Sequence, residues 1–159
     1  MNTVDFRAVV LIPHYNHGRA IATTVAAVRA QGLPVLIVDD GSAPADRAEV
    51  ERIATEPGVT LVRRPENGGK GAAVMDGFRA ADVAGYSHVL QIDADGQHDF
   101  ADIPRFLALG AAHPQAMVAG RPIYDASIPR SRLYGRYITH FWVAVETLSL
   151  AIGDSMCGF

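Results

Sequence analysis

Only one cysteine, Cys157, occurs in 159 residues, so no disulfide can form within the chain. A lone thiol fits a reducing compartment. A basic excess is missing too: 14 Lys and Arg stand against 17 Asp and Glu, a formal net charge of −3. Neutralising nucleic-acid phosphates needs the opposite sign, which argues against a nucleic-acid partner. No uncharged apolar run reaches the roughly 18 residues of a membrane span. The closest, YITHFWVAVETLSLAIG (137–153), is interrupted by His140 and Glu146. The opening MNTVDFRAVV lacks the charged-then-apolar pattern of a secretory signal. The expectation is a cytoplasmic protein, with the cytoplasmic face of a membrane as the other place to look. No repeat, low-complexity tract or linker breaks the chain, so residues 1–159 are expected to form a single domain.

What is present is apolar. Hydrophobic residues make up 49% and charged residues 19%, enough for a packed core. Short β-branched runs recur: FRAVVLI (6–12), PVLIV (34–38), VTLV (59–62), HVLQI (88–92) and AMVAG (116–120). Each reads as a strand, and the nearly unbroken ones read as buried on both faces, as in a parallel sheet. Between them GRAIATTVAAVRAQ (18–31), APADRAEVERIATE (43–56) and GKGAAVMDGFRAADVAG (69–85) read as helices. In the first, Ile21, Val25 and Val28 share a face, and Gly32 and Pro34 supply stop signals. Strands alternating with helices imply βαβ units and an α/β fold. A last helix is expected over about 130–152.

Ligands of open α/β sheets sit beyond the carboxyl ends of the strands. The residues following the five runs are PHYNHG, DDGSAP, RRPENGGKG, DADGQHD and GRP. One polar, Gly-rich end is a turn; five on one sheet edge describe a cleft. In VLQIDADGQHD (89–99) three acids, Asp93, Asp95 and Asp99, fall within seven positions. Like charges so close call for a positive partner or for solvent. Asp93 and Asp95 at a strand end can converge on one hard divalent cation, with Gln97 adding an amide oxygen. The plainer alternative is a solvated acidic turn that caps the next helix. An EF-hand does not fit, because Gly96 sits at the fourth loop position and Pro104 stands where the closing Glu belongs. A dehalogenase-type phosphotransferase site matches DADG but not Gln97.

The remaining ends add complementary groups. NGGKGAA (67–73) opens a helix whose amides, with Lys70, suit an anion; its spacing is not that of a P-loop. Asp39 and Asp40 can accept hydrogen bonds from a base or ribose, with Ser42 as the cap of the next helix. Tyr15 offers a ring platform and Asn16 a polar contact. His14 and His17 raise a zinc reading, weak without a Cys partner.

IPHYNHG, VDDGS, NGGKGAAV, QIDADGQHD, AGRP and DSMCGF, in this order, resemble the family 2 glycosyltransferases of GT-A fold, in the branch of dolichol-phosphate mannosyltransferase and polyprenyl-phosphate glycosyltransferases. The resemblance implies a Rossmann-like α/β/α sandwich with a mostly parallel sheet. It implies a nucleoside-diphosphate sugar donor, UDP- or GDP-linked, with Mg²⁺ or Mn²⁺, and inversion at the anomeric carbon. By motif it puts Pro13, Tyr15, Asn16, Asp40 and, less directly, Asp39 at the nucleotide, with Asn67 and Lys70 near it or its diphosphate. Asp93 and Asp95 match the family's D-x-D, and Gln97 an extra metal ligand. Arg121, with Arg132 or Arg136, matches residues that hold an acceptor phosphate, and Asp154 an acid beside the reacting carbon. A polyprenyl phosphate is the implied acceptor, a hydroxyl the other option. The basic-then-apolar stretch 130–150 fits either peripheral membrane contact or a core helix.

The chain departs from the pattern at His17, where the family usually has Glu, and at Phe159, beyond which the family's domain continues. It is therefore expected to be the nucleotide-sugar-binding part, incomplete at its C-terminus. The alternatives are a donor-binding module without transfer, or the dehalogenase-type phosphotransferase.

Overall fold

The first four apolar runs form strands in the computed structural model, which describes residues 5–96 and 98–120 together with 139, 141–143 and 145. They are β1 (Ala8–His14), β2 (Val35–Asp39), β3 (Val59–Arg63) and β4 (His88–Gln91). β2 is buried at every position and β1 at all but its first. Such unbroken burial demands cover on both faces. The strands pair in parallel in the order β3-β2-β1-β4, with Val10 opposite Val35 and Leu11 opposite Gln91.

Three helices supply the cover: α1 (Gly18–Ala30), α2 (Pro44–Ile53) and α3 (Lys70–Val83). Ile21, Val25 and Val28 of α1 are buried, as their spacing predicts, and Gly32 takes the left-handed conformation just past the helix end. The path β1-α1-β2-α2-β3 moves one way along the sheet, and right-handed crossovers put α1 and α2 on one face. To reach β4 the chain returns across β2 and β1, so the same handedness puts α3 on the other face. There Ala73 and Ala81 of α3 pack with Val9, Leu11, Leu36 and Val38. Gly77 lets the helix lie close, since a Cβ there would meet the Leu11 side chain. The result is the expected α/β/α sandwich around a parallel sheet.

Two features differ from expectation. Residues 116–120 form no strand: Met117 is 82% exposed, and the Ala116 amide turns back to the His113 carbonyl at 2.9 Å. An apolar run becomes a strand only where a neighbour supplies hydrogen bonds and cover, and this one has no buried face. Conversely, the helix expected only as the one an acidic turn would cap, and given no bounds in the sequence, is α4 (Ile103–Ala112), which follows a 3-10 turn at Phe100–Asp102. Asp99 caps that turn by accepting from the Ala101 amide at 3.0 Å, and Pro104 occupies the first turn of α4, where its missing N–H costs nothing.

The chain divides into two compact units, Met1–Met117 and Val118–Phe159. Of the expected helix over 130–152, Thr139, Phe141, Trp142, Val143 and Val145 are described and all are helical. The Phe141 and Trp142 rings meet edge to face, 5.6 Å between centroids. Among the described residues no helix is long and apolar enough to cross a membrane.

Candidate active site

Strand order reverses between β1 and β4, the place where such sheets open a crevice at their carboxyl edge. The residues leaving β1 build the first wall. His14, the last residue of β1, is buried, and its Nε2 accepts the His17 amide at 3.2 Å. The ring proton therefore sits on Nδ1, which lies 3.2 Å from Ser42 Oγ and 3.5 Å from Asp39 Oδ1. Burial holds the imidazole below its ordinary pKa, against the opposing pull of Asp39. Asn16 takes a left-handed φ of 54°, which Asn tolerates better than most residues. Its amide donates to Ser42 Oγ at 3.0 Å, and its Oδ1 accepts the Ala43 amide at 2.8 Å.

Ser42 therefore does not cap α2. Ala43 stands at the cap position with no side-chain bond, while the buried Ser42 hydroxyl is engaged by Asn16 and His14. Asp39 is buried as well and accepts the Ser42 amide at 3.2 Å. These residues stitch the ends of β1 and β2 together behind the cleft.

Asp40 does the same for the Gly-rich loop. Its two oxygens accept the Gly68 and Gly69 amides at 3.0 and 2.8 Å, and it pairs with Arg64. Arg64, just past β3, also reaches Asp76 of α3 through Nε at 2.8 Å. Arg64, and to a lesser degree Arg79, holds the Asp76 carboxyl below its ordinary pKa. Sequence reasoning passed over Arg64; its one signal was its position directly after a strand. Two glycines make the docking possible. A Cβ on Gly68 would meet the Arg64 guanidinium, and one on Gly41, at φ 74°, would come within 2.7 Å of the Asn67 nitrogen.

The loop so held carries Asn67 and Lys70 into a cleft of about 290 Å³. Pro13 and Tyr15 line it from β1, Asp40 from β2, and Asp93 and Asp95 from the end of β4. Lys70 Nζ sits 2.6 Å from Asp93 Oδ1, and Gln91 Nε2 lies 3.5 Å from the same oxygen. Of the expected site residues, Asn16 and Asp39 are not in the lining; both hold the wall instead. Gln97, Arg121, Arg132, Arg136 and Asp154 lie outside the described residues.

Residues 9–150 match the model of the glycosyl transferase family 2. The chain belongs to that family. It is 35% identical over 106 residues to an undecaprenyl-phosphate mannosyltransferase of Micrococcus luteus, covering 64% of this chain and 43% of that protein. It is 33% identical over 105 residues to a polyprenol monophosphomannose synthase of Mycolicibacterium smegmatis, covering 64% of this chain and 40% of the relative. The chain thus spans less than half the length of these relatives. Among solved structures, S. aureus TarS 1–349 superposes with a TM-score of 0.55 at 20% identity, covering 76% of this chain and 39% of that one. The same protein in complex with UDP-GlcNAc gives 0.53 at 21% identity, over 76% and 38% of the two chains. At that identity the likeness speaks for the fold, which is the GT-A fold of the family.

The donor set of this family 2 cleft suits a hard cation. Asp93 and Asp95 bring carboxylate oxygens to one cavity, and Mg²⁺ is commonly held by one or two carboxylates with substrate phosphates completing its shell. Among the described residues no group of three or more His, Cys, Asp or Glu could enclose a metal, so water or ligand oxygens would complete the shell. Zinc through His14 is a poor match, because its Nε2 is taken by a backbone amide and its Nδ1 faces Ser42 and Asp39. Family membership also goes against the dehalogenase-type reading of DADG.

Proposed function

We propose that this chain is the nucleotide-sugar-binding part of a metal-dependent, inverting glycosyltransferase that passes a sugar from a nucleoside-diphosphate donor to a lipid-phosphate acceptor. The observation that carries the reading is the convergence of Tyr15, Asn67, Lys70, Asp93 and Asp95 on one cleft at the carboxyl edge of the sheet. The names of the relatives support a mannosyl donor and a polyprenyl-phosphate acceptor; a meeting with that acceptor at the cytoplasmic face of a membrane is part of the proposal.

Each residue then has a task set by its chemistry. Tyr15, 44% exposed on the wall, offers its ring to a planar base. Asn67 donates or accepts hydrogen bonds beside it. Lys70, at the positive end of α3, attracts the diphosphate. Asp93 and Asp95 would hold Mg²⁺ or Mn²⁺, with Gln97 proposed as a further ligand, and the ion would supply Lewis acidity toward the charge that gathers on the leaving diphosphate. Asp40 and Arg64 keep the Gly-rich loop in register, and Pro13, Asn16 and Asp39 keep the wall in place. Arg121, with Arg132 or Arg136, is the proposed grip on the acceptor phosphate. An anionic acceptor needs no proton removed, whereas a hydroxyl acceptor requires a base, for which Asp154 is proposed.

The test is calorimetric titration with UDP and with GDP, each with Mn²⁺ and with EDTA. Binding of one nucleotide that needs Mn²⁺ and is lost in Asp95→Ala is the expected result. Equal binding in EDTA, or full binding by the variant, would overturn the metal role. The alternative is a module that binds donor without transferring it. Transfer of labelled sugar to polyprenyl phosphate separates the two readings.

A further inference from the structure

The cleft already contains a cation of its own. Lys70 Nζ lies 2.6 Å from Asp93 Oδ1 and 2.7 Å from Oδ2, so the ammonium sits in the fork between the two oxygens. Lysine is an unfavourable first residue for a helix, whose N-terminus carries about half a positive charge. The first turn of α3 has no acidic residue to offset it. Asp93, reaching from the end of β4, supplies that compensation. Magnesium takes oxygen ligands at about 2.0–2.1 Å, and it has the same sign of charge as the ammonium. Both cannot occupy one carboxylate fork.

We propose that Lys70 is an exchangeable counter-ion: it holds Asp93 in the metal-free cleft, yields that carboxylate to a divalent ion, and turns to the diphosphate of the donor. The proposal rests on the metal-dependent donor site argued above and adds an order of events to it. Lys70 has the freedom to move, being 53% exposed on a flexible four-carbon stem. The charges favour the exchange. Lys70 with Asp93 and Asp95 makes a net negative group, which repels a diphosphate. The same three side chains with a divalent ion make a net positive group and release an ammonium toward the incoming phosphates. Metal and nucleotide therefore promote each other's binding, and by linkage the factor is the same in both directions.

The experiment is titration of Mn²⁺ alone into the full chain, followed by the paramagnetic signal of the free ion, for wild type, Lys70→Gln and Lys70→Arg. Nucleoside diphosphate is then titrated at saturating Mn²⁺. Removing a competing exposed ion pair should tighten binding of Mn²⁺ alone by about threefold in Lys70→Gln. The same variant should lose about tenfold or more in nucleotide affinity, the scale of a charged hydrogen bond. Lys70→Arg, which keeps the competing charge, should bind Mn²⁺ alone as wild type does. Equal or weaker Mn²⁺ binding by Lys70→Gln, with Mn²⁺ still bound by both proteins, overturns the exchange and leaves the donor site standing. Mn²⁺ binding by neither protein, with or without nucleotide, overturns the metal site and the exchange together.

Discussion

His14 is the residue where local chemistry and tertiary placement diverge most. Its sequence context, two histidines three apart after a strand, invites a metal. The fold instead buries the ring, gives Nε2 a backbone donor and turns Nδ1 toward Ser42 and Asp39. Burial depresses its pKa in the folded state. In the unfolded chain a histidine takes up its proton near pH 6.5. As pH falls below that value the unfolded state gains a proton that the folded state refuses, so stability falls until the folded pKa is reached. Denaturant unfolding between pH 7 and pH 5 should show this decline, and His14→Gln should flatten it. An equal slope in both proteins would show that His14 does not carry the effect. Asp40 is a parallel case. Its side chain reads as a nucleotide contact in the sequence; it lines the cleft, and its oxygens also accept the Gly68 and Gly69 amides and pair with Arg64.

At the scale of elements, the site depends on how the β2–α2 turn docks against the loop that opens α3. Gly41 and Gly32 share a left-handed backbone, at φ 74° and 76°, but differ in surroundings. A Cβ on Gly32 would meet nothing within 4 Å, whereas one on Gly41 would press on the backbone of Glu66 and Asn67. Gly32→Ala should therefore cost only the conformational penalty, about 1–2 kcal/mol. Gly41→Ala adds a steric displacement and should cost more, about 2–3 kcal/mol. Chemical denaturation of the two variants measures the difference. Gly41→Ala should also weaken nucleotide binding, because Asn67 and Lys70 ride on the displaced loop, and Gly32→Ala should leave it unchanged. Strands and helices of this layer were legible because β-branched runs and Gly or Pro stops are local signals. The run at 116–120 misled because its composition suits a strand, and composition carries no information about whether a partner lies alongside. Helix α4 was given no bounds because IPRFLALGAA follows directly on an acidic stretch that draws attention as a site, although Ile103, Phe106, Leu107 and Gly110 recur at helical spacing and are its less exposed positions.

For the whole molecule, a cleft assembled from the ends of four strands ties ligand binding to folding. Nothing equivalent exists in the unfolded chain, so ligand stabilises by mass action. Nucleoside diphosphate and Mn²⁺ together, at a hundredfold over the dissociation constant, should raise the unfolding free energy by about 2.7 kcal/mol. Mn²⁺ or nucleotide alone should raise it less, since each supplies only part of the other's charge partner. Thermal or denaturant unfolding with each ligand and with both checks this; a shift no larger with both than with the better one alone would count against a shared site.

The order of six short motifs sufficed to read the family by resemblance, and the parallel α/β architecture followed from hydrophobic periodicity, which is written along the chain. The same stretches also named Asp93, Asp95, Asn67, Lys70 and Tyr15, which the fold brings to one cavity. Partner choice within that cavity was not legible. That Lys70 meets Asp93 across 23 positions and that Arg64 bridges Asp40 and Asp76 depend on distances set by the crossing of α3 over the sheet, and that Ser42 serves His14 rather than α2 depends on the pairing of β1 with β2. A charge in a sequence announces only that it needs a partner; the packing of distant segments selects which partner lies within reach.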